Sequence, residues 1–475
     1  MNGGTTHDAW RAEREETDRL CKEDPSLLTR ESLLDPDFLH ARVGIVGLDA
    51  GRPKGYLRYL PQDFIVEEVC ENGEIVSVNP TRSVPDEGTG DHRTLLVNLI
   101  KVHLSTPNAI AQIATHLSIP ETAIGYAGLK DAAAVTAQRL SLRDIEWPRV
   151  AQTKIPNIFL EPVTYGNRAL ERGGLKGNQF TIFVRTDAHE SSERLRFLIE
   201  AYNRLGFANY FGLQRFGSRL EGHKVGCLMA RGDVDGALRV FFTEIGPTDL
   251  PLFRQIRMKL AGCYGEWREM RKFIEPLPYT FSREIAVLDR LIAEPTKTIN
   301  AWRDVQDAVR LMVNGYASWV VNRYLSKVQK AGDTIPDEIP LPLSASAEDR
   351  TFFVDFLSQD GVNDPMNALR YFPFLNIKPR KIPGRIFPHV HRVTKIDEGV
   401  AFALTLPKEA NSATTYLMHL YRLYEGAPVP GWVKTTEVDT KRVVRMGDMD
   451  GIKKMFGKFE SEAGASLDPT SYHSA

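Results

Sequence analysis

The chain has 475 residues, 42% of them hydrophobic and 25% charged, the composition of a globular protein with about two or three domains of roughly 100–200 residues. This excludes a mainly disordered chain, a collagen-like fibre and a disulfide miniprotein. Sixty Lys and Arg against 61 Asp and Glu leave a net charge of −1, which excludes an indiscriminate coat for nucleic acid but permits a local basic groove.

No apolar run reaches the ~20 residues of a membrane span. The polar, acidic start MNGGTTHDAWRAEREE lacks the apolar stretch of a secretory signal. The four cysteines, Cys21, Cys70, Cys227 and Cys263, are scattered without a CxxC and read as reduced thiols, not as a zinc site or disulfide frame. The expectation is a cytoplasmic protein without a membrane partner.

Residues 1–45 are charge-rich and weakly patterned, a surface helix and a connector. DFIVEEVC (63–70) is β-branched and ends in a Glu-Asn-Gly turn, which predicts a strand. TLLVNLIKVHL (94–104) is apolar on both faces and predicts a central strand. Thr106-Pro107 predicts a helix start with Thr106 as N-cap, and Ile110, Ile113, Ala114 and Leu117 make its apolar stripe until Pro120 stops it. Two short strands flank GLKDAAA (128–134), and FTIFVR (180–185) alternates as another strand. Ser192 caps a helix that Gly206 ends. From about 218 to 375 the pattern is helical, alternation returns at 386–406, and a polar tail follows from 426. Strands, then helices, then strands again predict an α+β domain carrying an insertion.

Four segments can carry chemistry. In GYAGLKDAAAVTAQ (125–138), Gly128 allows a tight turn that presents Lys130 and Asp131; the carboxylate is a nucleophile if a cation keeps it ionised, or simply part of an exposed turn. In ERGGLKGNQFTIFVR (171–185), Asn178 can bond a base edge and Phe180 can stack on a ring, but a hairpin turn before a core strand reads the same. FANYFGLQRFGSR (207–219) interleaves Tyr210, Phe211 and Phe216 with Arg215 and Arg219, as an RNA surface or a buried domain junction would. IKPRKIPGRIFPHVHRVTK (377–395) holds six Lys and Arg, His389, His391 and no acid. It is a local positive field; the His pair lacks a third ligand for a metal. No GxSxG, HExxH, strand-borne GxGxxG or Walker loop is present, which counts against hydrolase, zincin, dinucleotide and nucleotidase readings.

Read together and in order, GYLRYLPQDFIVEE (55–68), GDH (90–92), GYAGLKDAAAVTAQ, LKGNQFTIFVR (175–185), NYFGLQRFG (209–217) and LPKEANSAT (406–414) resemble the TruD family of pseudouridine synthases over residues 52–425. The resemblance implies an α+β, mixed-sheet pseudouridine-synthase catalytic domain (46–206 and 385–425), interrupted by a mainly helical TRUD insertion domain (207–384). Residues 1–45 are then an N-terminal extension and 426–475 a polar tail. It implies an isomerase that converts a uridine in tRNA, or in another structured RNA, to pseudouridine, with no cofactor and no metal, acting as a monomer.

Residue by residue, the resemblance makes Asp131 the nucleophile and Arg58 the cation paired with it. Asn178 and Phe180 become the pair that holds and stacks the target base, and Lys130 and Gln138 supporting substrate-site residues. The residue types suit the chemistry. Detaching uracil from C1′ and rejoining it through C5 is driven by an ionised carboxylate, at C1′ or C6, and Arg58 is a permanent cation beside it. The base must leave its stack to react. One departure stands out: the family's late motif has an aromatic before Ala-Thr, and this chain has Ser412. A non-catalytic RNA-binding or RNA-folding protein using the same basic cleft is the alternative, disfavoured by a carboxylate facing anionic RNA. A metal-dependent phosphotransfer enzyme would need a carboxylate cluster that the sequence lacks.

Overall fold

A computed structural model describes all residues except 1–5, 30–33, 60, 87–92, 187–191, 344–345, 376–379, 397–398, 426–465 and 468–475. The GDH motif (90–92) therefore lies outside the described residues. The chain divides into two compact units, one of Ala50–Phe207 with Ile386–Ala475 and one of Met1–Asp49 with Ala208–Arg385.

The first unit is built on one mixed sheet. Its strands are β1 (Lys54–Leu57), β2 (Phe64–Cys70), β3 (Thr94–Val102), β4 (Ile124–Tyr126), β5 (Val135–Arg143), β6 (Ile158–Gly166), β7 (Leu175–Arg185), β8 (His389–Ile396), β9 (Gly399–Pro407), β10 (Arg422–Glu425) and β11 (Ser466–Leu467). The order is β11-β8-β9-β7-β2-β5-β3-β6; β1 pairs with β7 and β10, and β4 with β5. β2 runs parallel to β5 and antiparallel to β7.

The registers sort the side chains. Val66 lies opposite Thr136 and Phe180, Glu68 opposite Asn178, and Lys101 opposite Thr136. Because side chains alternate along a strand, Phe64, Val66, Glu68, Lys101, Thr136, Gln138, Asn178 and Phe180 share one face. The helix Thr106–Leu117 covers the far part of that face. Its Ile110, Ile113, Ala114 and Leu117 bury Leu95, Val97, Leu99, Leu140 and Leu142, at ~1.5–3 kcal/mol for each fully buried large aliphatic side chain. The opposite face buries Ile65, Val76, Val78, Ile100 and Val135.

Two expectations change here. The helix cap is Ser105, whose hydroxyl accepts from the Asn108 N–H; Thr106, one residue later, is left to serve the site. The stretch before β7 is not a hairpin turn. β6 ends the sheet beside β3 while β7 lies between β2 and β9, so the loop passes from one part of the sheet to another.

The second unit is helical. Its spine is Gln306–Ala331, against which Gly222–Arg231 lies so close that a Cβ at Gly226 would fall 2.1 Å from the Met312 carbonyl oxygen. Tyr210, Phe211 and Phe216 are buried in this unit, and the Phe211 N–H donates to Asn322 Oδ1 at 2.8 Å. These aromatics are core, not an RNA surface. The N-terminal segment belongs to the same unit: Glu13 Oε2 accepts from the N–H groups of Tyr279 and Thr280 at 2.8 and 2.7 Å.

Candidate active site

Asp131 stands on the turn between β4 and β5, and buried polar groups fix that turn from below. Thr106 Oγ1 accepts from the Lys130 N–H at 3.0 Å and donates to Gln138 Oε1 at 2.9 Å. Gln138 Nε2 returns to the Gly128 carbonyl at 3.0 Å. Lys130 Nζ meets Glu68 Oε2 at 2.6 Å, with side chains only 2% and 1% exposed. Both Lys130 and Gln138 thus point into the protein. The substrate contact implied for them is replaced by support of the turn, because Glu68 and Thr106 satisfy their polar ends.

Arg58 occupies the break between β1 and β2. Its backbone is left-handed, φ 59°, which a non-glycine residue adopts only where its surroundings over-determine it. The break is anchored by Asp63, whose carboxylate accepts from Arg185 Nη2 and Nε at 2.8 and 2.9 Å, both side chains buried. Arg58 lies over the Phe64 ring, 4.1 Å from its centroid. Its Nη2 is 3.5 Å from Asp131 Oδ1 and its Nη1 is 3.6 Å from Glu425 Oε2. Phe64 in turn meets Phe180 edge-on, with centroids 6.0 Å apart.

The contacts run without a gap from Phe180 through Phe64 and Arg58 to Asp131, whose side chain is 24% exposed. Asn178 is two residues from Phe180 on the same face, and its Oδ1 is buried with no hydrogen-bond partner among the described residues. An amide oxygen left in that state is costly unless a ligand's N–H fills it. Beside it, Leu406 is the cross-strand partner of Asn178. Ser412, where an aromatic was expected, begins the helix Ala413–Leu420 and shares a hydrogen bond with Thr414 Oγ1 at 2.8 Å.

Several site residues escaped the sequence reading. Glu68, Phe64, Asp63, Arg185, Thr106 and Glu425 act through the partners given above. Lys101 is buried under the turn and donates to the carbonyl oxygens of Leu104 and Asp131 at 2.7 and 2.8 Å and of Lys130 at 3.4 Å.

The basic stretch is described from Arg380. Its His389, His391, Arg392 and Lys395 are exposed on β8, and the two imidazoles meet edge-on with centroids 4.5 Å apart. Among the described residues no group of three or more His, Cys, Asp or Glu is arranged to hold a metal.

Chemically, the site offers a carboxylate paired with a cation, backed by two buried rings, Phe64 at 0% and Phe180 at 6% exposed, and by the buried amide of Asn178. The model of the family described as tRNA pseudouridine synthase D (TruD) matches residues 47–379. The chain is 32% identical over 357 residues to a Methanopyrus kandleri protein named as a probable tRNA pseudouridine synthase D, covering 70% of this chain and 86% of that one. It is 28% identical over 275 residues to the tRNA pseudouridine synthase D of a Geobacter species, covering 58% and 64%. The fold is similar to the crystal structure of a candidate TruD protein from Methanosarcina mazei, with TM-score 0.61 and 22% identity over 82% of this chain and 98% of that one.

Proposed function

The chain belongs to the tRNA pseudouridine synthase D (TruD) family and isomerises uridine in tRNA; from that premise we propose that Asp131 is its nucleophile and the sheet-bearing unit its catalytic domain. The observation that carries the assignment is the Arg58–Asp131 ion pair at 3.5 Å, set beside the Phe64 and Phe180 rings.

In the reaction the N1–C1′ bond breaks, uracil turns, and a C5–C1′ bond forms. The C5 hydrogen leaves as a proton and N1 gains one. Asp131 supplies the electron pair that releases or holds the base, and Arg58, 3.5 Å away, keeps it aligned. A uridine stacked in RNA is out of reach, so it is flipped into the site. Phe180, buried here edge-on to Phe64, would replace part of the lost stacking once the base enters. Asn178 Oδ1 accepts an N–H of the uracil edge, satisfying its buried lone pairs. Lys130, Gln138, Thr106 and Glu68 hold the turn. We assign the Ala208–Arg385 part of the helical unit, without the N-terminal segment that packs in it, to the TRUD insertion domain.

No helix among the described residues is long and apolar enough to cross a membrane; with a tRNA substrate, we assign the enzyme to the cytoplasm.

The test is tritium release from total tRNA labelled at uridine C5, wild type beside Asp131→Ala. Forming the new bond must expel the C5 hydrogen, so no target position need be guessed. Wild type releases tritium; Asp131→Ala does not, yet still shifts tRNA in a gel. Release by both would remove Asp131 from its role. Binding by both without release would favour the RNA-binding alternative.

A further inference from the structure

We propose that Lys101 is a positioning residue for the reaction: its buried ammonium, clamped on the carbonyl oxygens of Leu104, Lys130 and Asp131, fixes the backbone from which the nucleophile projects. This rests on the assignment of Asp131 as nucleophile and adds to it the group that sets its position.

The geometry is specific. Lys101 is fully buried on a central strand, where an unpaired ammonium would be strongly disfavoured. No carboxylate bonds it directly among the described residues. Its three donors are met by three backbone oxygens at 2.7, 2.8 and 3.4 Å, two of them at the catalytic turn. A tripod of carbonyls converging on an ammonium holds it only while it is charged, since a neutral amine donates more weakly and retains just two N–H groups.

The charged groups acting on Lys101 are Asp131, which favours the ammonium, and Lys130, which opposes it. Lys130 is itself paired with Glu68 on β2. Facing it from β5 is neutral Thr136, and the helix beyond contributes the neutral Thr106. Burial pushes Lys101 down to about 7. The clamp is therefore intact below neutral pH and loosens as pH rises through that value.

The experiment measures single-turnover tritium release at saturating enzyme from pH 6 to 9.5 for wild type, Lys101→Met and Asp131→Asn, with tRNA affinity by gel shift. The wild-type rate constant is expected to fall on an alkaline limb. Lys101→Met should lose about 10²-fold in rate, as misplacing a reacting group by an ångström does, keep tRNA affinity within about threefold, a margin that corresponds to less than 0.7 kcal/mol, and lack the limb. A Lys101→Met rate equal to wild type, or an alkaline limb unchanged by the substitution, overturns the proposal. If Lys101→Met does not fold, the wild-type profile decides, and a rate flat across the range overturns it. An inactive Asp131→Asn beside such results leaves the nucleophile standing; an active Asp131→Asn removes the nucleophile itself.

Discussion

At the scale of the residue, Arg58 joins a strained backbone to a side chain held between a ring and two carboxylates. Left-handed φ costs an L-residue about 1–2 kcal/mol, and at Arg58 that conformation puts the guanidinium over Phe64 and between Asp131 and Glu425. Removing the side chain should therefore separate two effects. Arg58→Ala and Arg58→Gly lose the same cation and should both lose turnover. Glycine alone meets φ 59° without a Cβ penalty, so Arg58→Gly should be the more stable of the two by about 1 kcal/mol in denaturant unfolding. Equal stabilities would mean that the backbone there stores no strain. Arg58, Asp131, Asn178 and Phe180 were legible because each sits in a short ordered motif. Lys101 was not. It is a single cation in TLLVNLIKVHL, where the apolar run signals a central strand and says nothing of carbonyls supplied by a turn 30 residues on.

At the scale of the element, the site depends on how tightly β7 lies against β9. Gly177 pairs with Pro407 beside the Asn178–Leu406 pair, and a Cβ there would fall 2.3 Å from the Leu406 carbonyl oxygen. Backbone cannot yield as a side-chain tip does. Gly177→Ala should pry the strands apart locally, destabilise the fold by about 1–3 kcal/mol and displace Asn178. A lowered melting temperature with a raised KM for tRNA is the expected pair of results; a normal KM would detach Asn178 from substrate binding. Strands were readable from their period of two, but their lengths were not. β5 and β7 extend well beyond the expected segments because partners on both sides continue the ladder. The cap went to Ser105 and not Thr106 for a similar reason: adjacent hydroxyls look alike in sequence, and Gln138, 32 residues away, claims the second one.

At the scale of the whole molecule, the helical unit is assembled from two distant pieces of chain. Residues 1–45, which read as an extension without a role, supply backbone that the long helix Gln306–Ala331 needs. Asn322 Nδ2, fully buried, donates to the Val43 carbonyl at 2.9 Å and Ser326 Oγ to that of Gly44 at 2.9 Å. Glu13 caps the backbone at Tyr279 and Thr280. No local pattern announces a contact 279 residues away, which is why the sequence suggested only a surface helix and a connector there. A chain beginning at Val46 would leave these buried polar groups unmatched, each at about 1–3 kcal/mol. Hydrogen exchange should then show the amides of Gln306–Ala331 losing at least about tenfold in protection for each 1.4 kcal/mol removed. The amides of β3 and β5, which lie in the other unit with cores of their own, should keep theirs. Equal loss in both units would mean that the N-terminal segment stabilises the protein as a single cooperative body; no loss in either would reduce it to a surface appendage.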